Sequence, residues 1–229
     1  MASLAFKLND HLFLKDPQHT LLGQNIISKS VELIDKLGFE LFTFKKLAFE
    51  ITSTEASIYR YFENKHRLLL YLVSWYWNWI EYRIEISTSN IHLPEDKLKA
   101  GLRVITDKKS FDSSFAFVDE EALHRIVIAE LDKTYLTKDV DRDNQEGLFG
   151  GFKSLCNKIA NLISDVGPEY PFPNSLASTI VLAAKQQLFF SSHLPSLSSL
   201  RANSKIHDEI YKFIESLIFN TIKPKSTHA

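Results

Sequence analysis

Apolar side chains recur along this chain at helical spacing. Ile27, Val31, Ile34 and Leu37 share one face, and Gly38 follows where a helix end favours a residue that tolerates positive φ. Thr43 is placed to cap a second, short helix through Leu47 and Ala48. Thr54 is placed to cap a third carrying Ile58, Tyr61 and Phe62, and Asn64 a fourth that begins at Lys65. The fourth is predicted to be long, through about Thr88, because neither glycine nor proline occurs before Pro94. Leu68, Leu72, Trp75, Trp79, Tyr82 and Ile86 form one stripe on it, and Leu69, Val73, Tyr76 and Ile80 a second beside the first. A helix apolar over so wide an arc is central and packed by several others.

Further helices are predicted over 95–107, 114–134 and 144–166, with a break from Val166 to Pro173. Asn174 is then placed to cap a helix with Leu176, Ile180, Ala184 and Leu188 on one face, ended by Pro195 and the serines after it. The last helix, 203–222, carries Ile206, Ile210, Phe213, Ile214, Leu217 and Ile218, and Pro224 stops it. With no strand alternation and no internal repeat, the fold class is all-α, with about nine helices.

Composition narrows the function. A chain of 229 residues, 45% apolar, is long enough to bury a sizeable core. A formal net charge of -1 means that any nucleic-acid contact must come from a local patch. The single cysteine, Cys156, is read as a small buried hydrophobe; it excludes an internal disulfide and fits a reducing cytoplasm. The first ten residues are interrupted at Lys7 and Asp10, too early for a secretory core. The most apolar window, Leu68 to Ile80, is short and flanked by Arg67 and Glu81, so it reads as a buried helix rather than a membrane span. A cytoplasmic protein with no membrane partner is expected.

Catalytic and metal chemistry find little support. Glu63 with His66 and Glu121 with His124 are spaced i, i+3, as in di-iron bundles, but the first pair falls in a segment read below as DNA-binding. Each is expected to be a surface contact, with no metal site. Gly147, Gly150 and Gly151 lack the preceding strand and the lysine spacing of a phosphate loop. His193 lies near Ser191 and Ser192 without a third partner. The chain is expected to be no enzyme and to need no cofactor.

Residues 43–62, TFKKLAFEITSTEASIYRYF, read as two short helices around a tight turn, followed by the basic helix start Lys65-His66-Arg67. That is the layout of a helix-turn-helix, in which the first helix braces a second that lies in the major groove. Lys45, Lys46 and Lys65 are placed to reach phosphates, Lys65 from a helix N-terminus. From Ile26 to Leu69 the block resembles the DNA-binding head of the TetR family. The matching residues are Leu33 to Phe39, Leu41, Thr43, Leu47-Ala48, Ser57-Ile58-Tyr59-Arg60-Tyr61-Phe62, Lys65 and Leu68-Leu69, in register without insertions. By that resemblance Lys45, Thr54, Glu55, Ala56, Ser57, Tyr59, Tyr61 and Lys65 occupy DNA-touching positions. Tyr59 and Lys65 would reach phosphates; Glu55, Ala56, Ser57 and Tyr61 would face the groove. The chain departs from the family's Ala-Gly-Val-Ser turn, which here reads Ile51-Thr52-Ser53-Thr54. A non-glycine residue in a left-handed turn costs about 1 kcal/mol or more. Glu50 and Glu55 also put acid beside the proposed DNA face, and from Gln24 to Leu70 basic side chains outnumber acidic ones by only one.

The resemblance implies residues 1–19 as an extension, 20–66 as the head, and 67–229 as a helical ligand-binding and dimerisation domain joined to the head by the long fourth helix. A small apolar ligand would sit among Trp75, Trp79, Tyr82, Phe115, Phe117, His124 and Phe189. A homodimer through the last two helices is expected, motivated by the Ile206–Ile218 stripe, and would present two heads to a palindromic operator in double-stranded DNA. The expected function is ligand-responsive transcriptional regulation, by repression. Its rival is a lipid- or small-molecule-binding protein that kept the fold and lost DNA binding, as a TetR-like lipid-binding protein of ubiquinone biosynthesis has.

Overall fold

A computed structural model of the chain describes residues 5–110 and 117–223. Among these residues there are eleven α-helices and no strand. They are α1 (Leu21–Leu37), α2 (Phe44–Glu50), α3 (Glu55–Tyr59), α4 (Lys65–Thr88), α5 (Pro94–Thr106), α6 (Glu120–Glu130), α7 (Asp132–Tyr135), α8 (Val140–Gln145), α9 (Gly150–Val166), α10 (Pro173–His193) and α11 (Ile206–Ile222).

Three of the four predicted caps are in place. Thr43 Oγ1 accepts from the Lys46 amide at 3.2 Å, Thr54 Oγ1 from that of Ser57 at 3.2 Å, and Asn64 Oδ1 from that of Arg67 at 2.8 Å. Gly38 ends α1 at φ 77°. The count exceeds nine because two predicted helices are broken. The stretch 114–134 holds α6, capped by Asp119, and a separate α7. The stretch 144–166 is interrupted at Gly147, whose φ of 77° ends the turn after α8 before α9 begins. At the other break Pro173 is the first residue of α10, where its missing N–H costs nothing, so Asn174 lies inside the helix rather than capping it.

The described residues fall into two compact units, those within 1–78 and 109–152, and those within 79–108 and 153–229. The helix α4 contributes to each. In the first unit α1 packs on α2 and α6, and α2 on α3. Its core includes Ile26, Ile27, Leu47, Ile58, Phe62, Leu68, Leu72, Trp75 and Leu123, each 1% exposed or less. From Leu68 to Trp77 every residue of α4 is buried, as its wide apolar arc predicts. Ion pairs fix α6 and α7 to the end of α1. Arg125 donates to both oxygens of Asp35, at 3.0 and 2.7 Å, and Lys133 to Glu40 at 2.7 Å. The buried Glu130 accepts from the Phe39 amide at 3.0 Å, just past Gly38.

In the second unit α11 packs on α5 and α10. Ile206, Ile210, Ile214 and Ile218, the stripe that motivated the dimer, are buried here within one chain. Leu98 and Leu102 of α5 and Ile180 of α10 are buried in the same unit. Apolar spacing marks a covered face but does not say which chain covers it. Of that helix's predicted apolar residues, Phe213 is exposed and Leu217 is half-buried. Arg103 stacks on the Tyr211 ring, 3.6 Å from its centroid, and pairs with Asp208 at 2.7 Å. No described helix is long and apolar enough to cross a membrane.

Candidate nucleic-acid interface

The turn between α2 and α3 is built on a left-handed threonine. Thr52 has φ 50°, the one positive φ among the described non-glycine residues. The Ser53 amide donates to Ala48 O at 2.9 Å and the Thr52 amide to Phe49 O at 3.2 Å. This pair of bonds is the Schellman arrangement that closes a helix end, with threonine where glycine is favoured. The backbone thus keeps a tight turn despite its sequence. Apolar packing by Leu47, Ala48, Ile51 and Ile58 holds α2 and α3 together.

Five of the eight residues expected at DNA are exposed: Lys45 on α2, Thr54 at the cap, Glu55 and Ala56 in the first turn of α3, and Tyr59 at its end. Tyr59 is 48% exposed, its ring edge-on to Phe44. Ser57 is half-buried, and its hydroxyl is held between Thr54 Oγ1 at 3.0 Å and Arg60 Nη2 at 3.3 Å. Two residues depart from expectation. Tyr61 is only 4% exposed, and its hydroxyl shares a 2.9 Å hydrogen bond with Thr20 Oγ1, so it packs the base of α3 rather than facing out. Lys65 Nζ donates to Phe39 O at 3.1 Å, Glu40 O at 3.2 Å and Phe42 O at 3.4 Å, and sits 4.7 Å from the centre of the Phe39 ring. Its ammonium binds the loop between α1 and α2, whose carbonyls stand in for the expected phosphate. Sequence reasoning passed over Phe49, which is 84% exposed beside the turn. The signal available was an aromatic on the polar side of α2.

The residues expected around a ligand divide between the units, and Phe115 lies outside the described residues. In the first unit Trp75 is buried edge-on to Phe117, ring centres 6.5 Å apart. His124 Nδ1 lies 2.7 Å from the Tyr76 hydroxyl, with the two rings stacked. In the second unit Trp79 is buried under the Arg83 guanidinium, Tyr82 is half-buried, and Phe189 packs on His193. A cavity of about 20 Å³ in the first unit is lined by residues including Leu70, Val73, Trp77, Leu131, Leu148 and Phe152, and by none of the seven expected. It has room for one water. The two Glu-x-x-His pairs do not converge: Glu63 faces Arg67, His66 faces Asp143, and Glu121 faces Arg125. Cys156 is half-buried, and burial pushes its thiol up to about 11, away from reactive thiolate chemistry.

Residues 26–72 match the family described as bacterial regulatory proteins of the tetR family. They form a TetR-family helix-turn-helix head. The fold agrees over most of the chain. The fatty acid degradation regulator FadR of Bacillus halodurans is similar at a TM-score of 0.60 and 16% identity, over 85% of this chain and 96% of that one. AibR in complex with isovaleryl coenzyme A and operator DNA is similar at 0.55 and 14%, over 86% and 99%. The superantigen PfiT is similar at 0.59 and 12%, over 92% and 100%. At these identities the likeness shows the all-α, TetR-like fold. No curated protein matches the sequence.

For this TetR-family head, glycine at the turn is expected to be the more stable residue. Thr52 is exposed and carries a β-branched side chain at φ 50°. Thr52→Gly should raise the free energy of unfolding by about 1 kcal/mol, the cost of the left-handed conformation less the entropy that glycine loses on folding. Urea titration of both forms measures it. A variant of equal or lower stability would mean that the threonine is held there by contacts worth more than its strain.

Proposed function

We propose that the chain is a ligand-responsive, DNA-binding transcriptional regulator of the cytoplasm, acting as a repressor on a palindromic operator. The observation that carries this reading is the exposed row of Lys45, Thr54, Glu55, Ala56 and Tyr59 on a head that matches the TetR family. In this reading α3 enters the major groove, while Tyr59 and Lys45 hold phosphates. A homodimer through the outer faces of α10 and α11, where Phe213 is exposed, would space two heads for successive grooves. Residues 67–229 would bind a small apolar ligand that favours one of two head spacings. The AibR complex, with its acyl coenzyme A and operator, supports both kinds of partner. The 20 Å³ cavity in the first unit is by itself too small for such a ligand.

Selection from random duplex DNA at two salt concentrations tests the proposal. An enriched palindrome whose affinity falls steeply with salt is expected. Lys45→Met should then reduce the salt slope by about one. Tyr59→Phe should lower affinity by about tenfold, as for loss of one hydrogen bond to a charged group, and keep the ring on Phe44. Absence of any enriched sequence would sink the DNA reading. It would favour the rival, a binding protein that kept the fold, to which the exposed Glu50 and Glu55 at the turn already lean.

A further inference from the structure

We propose that the N-terminal arm, residues 5–19, is a strap that positions α3 by tying its exit to the middle of α4. The arm has no helical periodicity, yet it is built into the first unit. Leu8 is 6% exposed and Leu12 is fully buried. Gln18, 4% exposed, closes the arm on itself. Its Oε1 accepts from the Phe6 amide at 3.1 Å and its Nε2 donates to Phe6 O at 2.8 Å. A buried side-chain amide with donor and acceptor both satisfied fixes one conformation.

The closed arm holds three elements. On α4, Phe6 packs edge-on to Trp75 with ring centres 5.3 Å apart, and Phe13 edge-on to Tyr71 at 6.1 Å; Tyr71 and Trp75 are one helical turn apart. At the exit of α3, the Leu14 amide donates to Tyr61 O at 2.8 Å and the Lys15 ammonium lies 5.3 Å from the centre of the Tyr61 ring. Before α9, Asn9 Nδ2 donates to Glu146 O at 3.0 Å. The arm therefore reaches α4 with its aromatic rings and Tyr61 with its backbone, two residues after Tyr59. Any shift of α4 at Tyr71 and Trp75 carries both rings of the arm, and the Leu14 amide carries Tyr61 with them. This is a second mechanical route to α3, beside the link through residues 60–64.

The functional side of the strap rests on the reading of α3 as the DNA-contacting helix, so the test has one arm that uses no DNA. The full chain carrying Phe6→Ala and Phe13→Ala is compared with wild type by amide hydrogen exchange. Both phenylalanines are half-buried, so the fold is retained. Phe13→Ala alone serves as a milder variant that removes only the contact with Tyr71. Exchange over residues 58–62 is expected to quicken about tenfold, while residues 44–50 of α2 stay within about twofold of wild type. Equal acceleration in both segments, or none in either, would overturn the strap. If wild type selects a duplex, the double variant should bind it about tenfold more weakly with an unchanged salt slope. Unchanged affinity, or a shallower slope that marks a direct phosphate contact, would overturn the positioning role. If wild type selects no duplex, the DNA reading fails, and the exchange result still decides whether the arm holds α3.

Discussion

Gly23→Ala is expected to lower the free energy of unfolding by about 3 kcal/mol, near the upper end for one added methyl group. The sign runs against helix propensity, which favours alanine over glycine by about 1 kcal/mol inside a helix. Gly23 lies in the first turn of α1, where Thr20 Oγ1 accepts from its amide at 3.0 Å. A Cβ there would stand 2.3 Å from Pro17 O and 2.5 Å from Pro17 Cα. Both are backbone atoms, so no side chain can swing aside. The 3-10 turn Pro17–His19 would have to lift from α1, and Gln18, which closes the N-terminal arm, would lift with it. Urea unfolding followed by far-ultraviolet circular dichroism measures the loss. A neutral or more stable variant would show that the turn retreats freely and that the arm is not seated on α1.

What could be read from the sequence is what neighbouring residues settle among themselves. The caps at Thr43, Thr54 and Asn64 and the glycine at residue 38 are local hydrogen-bond chemistry, and each is found where the sequence puts it. The burial of α4 from Leu68 to Trp77 was legible because its apolar arc is too wide for one buried face. The arm was not legible. Leu8, Leu12 and Gln18 follow no period, and the arm is seated on α4 through Phe6 and Phe13 and on α1 through the Pro17–His19 turn, far along the chain or across a turn. The isoleucine stripe of α11 shows the complementary limit. Periodicity shows that a face is covered, and α5 and α10 of the same chain turn out to cover it.

The same distinction runs through the candidate site. The sequence marks Tyr61 and Lys65 as polar tips on a basic segment, which is true of both. Whether such a tip meets water, a phosphate or a carbonyl depends on the loop opposite. Here Thr20 takes the Tyr61 hydroxyl, and Phe39, Glu40 and Phe42 take the Lys65 ammonium. Lys65 thus stabilises the loop that positions α2, Lys46 donates to Leu41 O of that loop at 2.7 Å, and Lys45 and Tyr59 are left as the exposed phosphate candidates. Thr52 differs again. The sequence shows that glycine is missing, but only the backbone shows that the left-handed turn persists without it.

Arg67→Met is expected to destabilise the chain by about 3 kcal/mol, as for a buried charge left without its partner. Arg67 lies in the first turn of α4, its side chain 12% exposed. Its Nη2 donates to Glu146 at 2.7 Å, and its Nη1 lies 3.6 Å from Asp143, whose side chain is only 2% exposed. The network joins the start of α4 to α8 and the turn after it, beside the Glu146 carbonyl that Asn9 of the arm also holds. Methionine keeps the apolar stem and a good helix propensity, so the loss reports the charge. Adding Asp143→Asn should recover part of it, because the second change removes the buried carboxylate that has lost its nearest cation, leaving only His66 and Arg142 at 3.7 and 3.9 Å. The effect should also depend on pH. The hydrogen bond from Arg67 holds the Glu146 carboxyl below the usual carboxylate range. A carboxyl lowered in the folded state stabilises above its unfolded pKa, and that contribution is lost as pH falls through the folded value. Wild type and Arg67→Met should therefore differ most near neutral pH, and the share of the difference that Glu146 contributes should be lost as pH falls below the ordinary carboxylate range. Denaturant titrations across that range measure that share. A difference independent of pH would place the loss in packing alone and remove the Arg67–Glu146 pair from the account.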